Sequence, residues 1–125
     1  NYTLRSMKSM PQEIEVWYLI PAIRRELTKY FIENHNLNQK KISEILNITE
    51  SAVSQYLKAK RGSEMKFDEG EMQLIEDAAR RIVSQKLEAN KEIYKLCVSF
   101  RGGESVCEVH RSHDSSIEKD CDLCC

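Results

Sequence analysis

The chain is expected to fold as an all-α protein, a helix-turn-helix bundle of about five helices followed by a cysteine-rich C-terminal segment that binds a metal or cluster. Three observations lead there. From Ala22 to Phe100 apolar residues recur three and four apart, the period of an amphipathic helix. The one stretch that alternates like a strand, Ile14, Val16 and Tyr18, has no second strand candidate to pair with. All five cysteines fall within the last 29 residues, where apolar residues become sparse.

Residues 1–10 are polar and irregular and are read as a flexible or extraneous lead-in. In Pro11–Ile20 the residues Ile14, Trp17 and Tyr18 also share a helical face, so this stretch is read as helix, with Trp17 in the core or at a dimer contact. Pro21 starts a new helix at its first position or kinks the continuing one. From Ala22 to Asn34, Ile23, Leu27, Tyr30 and Phe31 line one helical face, and Arg24, Arg25 and Lys29 are left to a solvated side. A loop over residues 35–38 follows, with Asn38 as N-cap of the next helix.

The centre of the chain is Gln39–Leu57, QKKISEILNITESAVSQYL. Ile42, Ile45 and Leu46 share one face of a first short helix, and Val53, Tyr56 and Leu57 repeat the spacing in a second. Asn47 suits a left-handed turn residue, because asparagine tolerates positive φ better than most non-glycine residues. Ile48 is expected to turn inward, and Thr49 to N-cap the second helix. Ser43 and Ala52 are small where the two helices must approach closely. The outer face then carries Thr49, Glu50, Ser51, Ser54, Gln55 and Lys58. Such side chains can bond base edges, glutamine matching adenine through two hydrogen bonds. Lys58, Lys60 and Arg61 stand where a phosphate backbone would pass, and Gly62 is expected as the C-cap.

Gln39–Gly62 resembles the helix-turn-helix of lambda-repressor/Cro-like (XRE-class) transcriptional regulators, and ITESAVSQYLKAKRG is most similar to archaeal members that join this unit to a sensing segment. Ser43 and Asn47 stand where that family usually has alanine and glycine. The resemblance implies a double-stranded DNA partner, with Gln39, Lys40, Thr49, Glu50, Ser51, Ser54, Gln55, Lys58, Lys60 and Arg61 as the DNA-contacting set. It covers residues 11–66, read as the DNA-binding domain.

Residues 67–100 are read as dimerisation and linker helices. A long helix is expected over Glu69–Glu88, where Met72, Ile75, Ala79 and Ile82 form a short heptad seam and Leu74, Ala78, Val83 and Leu87 widen it into a face that can pack on the chain's own head and still meet a partner. A last helix over Asn90–Phe100 carries Ile93, Leu96, Cys97 and Phe100, stopped by Gly102-Gly103.

The net charge of −1 hides an asymmetry. Residues 1–66 hold 11 Lys and Arg against 7 Asp and Glu, and the rest hold 8 against 13. A basic head with an acidic tail fits DNA binding by the head alone. The chain has no run of 18 apolar residues and no signal-peptide pattern, so a cytoplasmic protein without a membrane partner is expected.

Residues 101–125 cannot bury enough apolar surface to offset ordering entropy unaided. Cys121 and Cys124, in C-x-x-C spacing, can face one centre, and Cys97 and Cys107 can complete a tetrahedral set. One close pair joined to two isolated cysteines favours a [4Fe–4S] cluster, with zinc as the alternative and thiols without a centre, or a redox disulfide, as the third reading. Cys125 is the spare; Cys107-x-x-His110 also has ligand spacing, so His110 and His113 are imidazole options, though read first as polar loop residues. No pocket signature, nucleotide loop or small-molecule substrate motif accompanies them, so the chain is not expected to be an enzyme. The expected function is a homodimeric, sequence-specific transcriptional regulator whose DNA binding is modulated by an iron–sulfur cluster. A helical adaptor and an electron carrier are the alternatives from other classes.

Overall fold

A computed structural model describes residues 15–58, 62, 65–101 and 103. These residues form five α-helices and no strand: α1 Ile20–His35, α2 Gln39–Leu46, α3 Glu50–Leu57, α4 Glu69–Ser84 and α5 Ala89–Phe100, with a π-helical turn at Glu15–Leu19 leading into α1. Among the described residues no helix is long and apolar enough to cross a membrane.

The first helix is the hub. It contacts all four others, because its stripe of Ile23, Leu27 and Phe31 is fully buried. Pro21 sits in its first turn, where a missing N–H costs nothing. The helix ends when Asn36 enters the left-handed region at φ 53°. One core cluster joins this stripe to Ile42, Leu46 and Val53 on one side and to Ile75, Ala78, Ile82, Ile93 and Leu96 on the other.

The fourth helix opens with a capping box. The Asp68 carboxylate accepts from the Glu71 N–H at 2.8 Å, and the Glu71 carboxylate accepts from the Asp68 N–H at 3.0 Å. Ile75, Ala79 and Ile82 of the expected heptad seam are buried in the chain's own core and Met72 is half-buried, so the seam packs within the chain instead of against a partner. The helix also stops four residues before the expected Glu88. Lys86 adopts φ 54° and reverses the chain, a conformation that no glycine or asparagine announces in the sequence.

Two further expectations are corrected. Gly62 does not cap α3, which ends at Leu57 with the Lys58 N–H bonded to the Ser54 carbonyl at 3.0 Å. Gly62 instead permits a close approach. At φ 73° it lies so near the start of α1 that an added Cβ would sit 2.4 Å from the Pro21 carbonyl oxygen. Trp17 is 55% exposed and stands edge-on to Tyr18, so of its two expected places, core or dimer contact, the core is excluded.

Glu92, in the first turn of α5, is only 2% exposed. Arg81 donates to one carboxylate oxygen from Nε and Nη2, at 3.2 and 2.9 Å, and Lys95 donates to the other at 3.3 Å. Burial pushes the Glu92 pKa up, but the hydrogen bonds and charges of Arg81 and Lys95 outweigh it and hold the carboxyl below its ordinary value. This tie pins α5 to α4.

Candidate nucleic-acid interface

The α2–α3 unit is assembled by local chemistry. Asn38 accepts from the Lys41 N–H at 2.8 Å and caps α2. At the other end Asn47 takes φ 59°, its N–H and that of Ile48 both reach the Ser43 carbonyl, and the chain turns sharply. Ile48 is half-buried in the angle between the helices. Thr49 Oγ1 accepts from the Ala52 N–H at 3.0 Å and caps α3. The small residues Ser43 and Ala52 are both buried, and the Ser43 hydroxyl is satisfied by donating to the Lys40 carbonyl at 2.6 Å. The expectations for Asn38, Ser43, Asn47, Ile48, Thr49 and Ala52 therefore all match the geometry.

Inward positions Val53 and Tyr56 fix the rotation of α3 about its axis, since both are buried. That rotation leaves Thr49, Glu50, Ser51 and Lys58 exposed and Ser54 and Gln55 half-buried. Gln39 and Lys40 are exposed at the start of α2. Eight helical residues span about 12 Å, so α3 is long enough to present several side chains to one groove of a duplex. Among the placed candidates the charges are Lys40 and Lys58 against Glu50, a balance of one positive charge. Lys60 and Arg61, the other two expected cations, lie outside the described residues. Arg25 is engaged elsewhere, donating to Glu26 at 3.1 Å.

Of the four candidate metal ligands only Cys97 lies within the described residues; Cys107, Cys121 and Cys124 lie outside them, as do Cys125, His110 and His113. Cys97 is 3% exposed in the last turns of α5, within the core cluster that also holds Phe100. Among the described residues no three His, Cys, Asp or Glu side chains form a group that could hold a metal ion.

The chain matches no family model, and no curated protein or solved structure is significantly similar to it.

Proposed function

We propose that the chain is a sequence-specific DNA-binding transcriptional regulator that lays α3 in a major groove. The observation that carries this reading is the outward polar face of α3, capped at Thr49 and set off from α2 by the bend at Asn47. Ser51, Ser54 and Gln55 would read base edges, while Lys40 and Lys58, with Lys60 and Arg61, would meet phosphates. The protein would act as a homodimer, with half-sites about one helical turn, ~34 Å, apart. Because the α4 seam is spent on the core, self-association would draw on the exposed apolar residues Leu74, Tyr94 and Val98 instead.

The cysteine-rich tail is proposed to hold a [4Fe–4S] cluster that modulates DNA binding, zinc being the alternative. Cys97, Cys107, Cys121 and Cys124 are the proposed ligands. Anaerobic iron, sulfide and zinc analysis separates cluster, zinc and thiols.

Gel shifts on duplexes selected from a random pool test the DNA reading. Gln55→Ala relaxes specificity at one or two base pairs, and Arg61→Ala weakens all sequences alike and lessens the salt dependence. Variants that both bind like the parent would show that α3 does not read DNA.

A further inference from the structure

The turn between α4 and α5 borders a groove of about 430 Å³ that runs along α2. Its walls are the half-buried apolar side chains of Leu37, Ile45, Val83 and Leu87. Its rim carries Lys41 from α2 and Lys86 from the turn, both exposed, opposed by Glu88. Ala89, where α5 begins, also lines it, and the cap residue Glu88 makes no side-chain hydrogen bond to the first turn. A helix start of this kind favours negative charge.

We propose that this groove binds a small monocarboxylate with an apolar body, the class of a medium-chain fatty acid. Three features select that class over others. The volume suits a small ligand, whereas an α-helix, about 10 Å across with a pitch of about 5.4 Å, would fit only about one turn into it. Between the charges of the rim the walls are apolar, a poor match for the many hydroxyls of a sugar or nucleotide. The rim, two lysines against one glutamate, balances to a single positive charge, which matches one carboxylate better than a phosphate dianion. The carboxylate lies between the lysines and the start of α5, and the chain of the ligand covers Ile45 and Val83. The inference concerns binding alone and stands whether or not α3 reads DNA. The two sites would nonetheless share α2, which supplies Lys41 and Ile45 to the groove and Gln39 and Lys40 to the candidate DNA face.

Titration of the full chain with decanoate, below its micelle concentration and followed by ¹H–¹⁵N and methyl NMR, tests it. Saturable shifts at Ile45, Val83, Leu87 and Ala89 are expected. Decanol, with the same tail and no charge, binds about tenfold more weakly, the cost of about one charge-assisted hydrogen bond. Acetate does not bind measurably, and the folded double variant Lys41→Gln/Lys86→Gln loses the preference for decanoate over decanol. Leu87→Trp fills the groove and abolishes the shifts. Equal binding of decanol and decanoate, shifts confined to other surfaces, or no saturable shifts would overturn the proposal. So would Val83 shifts that follow protein concentration instead of ligand, since a second copy of the chain would then occupy the groove.

Discussion

Two of the tight helix-to-helix turns, α2–α3 and α4–α5, use the same backbone device to different ends. Asn47 and Lys86 both hold the left-handed region, at φ 59° and 54°. At the first turn the device is fully supported. Asparagine accepts that conformation at low cost, Ile48 fills the angle, and Thr49 caps the next helix. At the second turn a lysine carries the strain, Leu87 stays half-buried beside an open groove, and Glu88 leaves α5 without a side-chain cap. One turn is built to present a rigid helix. The other keeps space and strain that a well-packed connection would eliminate, and such features collect at binding sites.

Four stability comparisons by urea denaturation would sharpen that contrast, the largest effect first. Leu46→Ala, at a fully buried position just before the first turn, is expected to cost about 2–5 kcal/mol. Its counterpart Leu87→Ala removes a side chain that water already reaches and should cost about 1 kcal/mol or less. Similar losses at both positions would erase the distinction between a filled turn and an open one.

Next comes the tie from α4 to α5. Arg81→Ala leaves the Glu92 carboxylate buried with only Lys95 beside it and should cost about 1–2 kcal/mol at neutral pH, the exposure of Arg81 keeping the loss below that of a fully buried pair. The folded-state pKa of Glu92 is depressed below its ordinary 4.5, so its contribution is complete above that pH and is lost as the pH falls through the lower folded value. The Arg81→Ala deficit should therefore shrink at pH 3. A deficit that is the same at pH 7 and pH 3 would mean that the loss comes from packing alone.

The caps are the third comparison. Thr49→Ala should cost about 1 kcal/mol, whereas Glu88→Ser, which supplies the missing acceptor, should gain about 0.5–1 kcal/mol. Finally, Lys86→Gly should stabilise by about 0.5–1 kcal/mol by relieving a left-handed lysine, and Asn47→Gly should change stability by only a few tenths. A destabilised Lys86→Gly would show that the lysine side chain stabilises the turn in the absence of ligand.

The same contrast explains what the sequence disclosed. The all-helical architecture, the caps at Asn38 and Thr49 and the bend at Asn47 were legible, because each depends on residue types whose local chemistry admits few alternatives. The place of the α4–α5 turn was not, since Leu87 continues the helical apolar period past Ser84 and no turn residue interrupts it. Nor was the role of the seam: periodicity says that a face is buried, not which chain buries it. Glu92 gave no sign in the sequence, because its burial depends on Arg81 coming from another helix. The groove was equally hidden, being assembled from the α1–α2 loop, α2 and the α4–α5 turn.

The outward face of α3 carries the regulator reading, and chemical-shift mapping with a selected duplex tests it most directly. The largest amide perturbations are expected on Gln39, Lys40, Thr49, Ser51, Ser54 and Gln55, fading as salt is raised. Perturbations centred instead on the Tyr94–Val98 face of α5, or none at low salt, would contradict it.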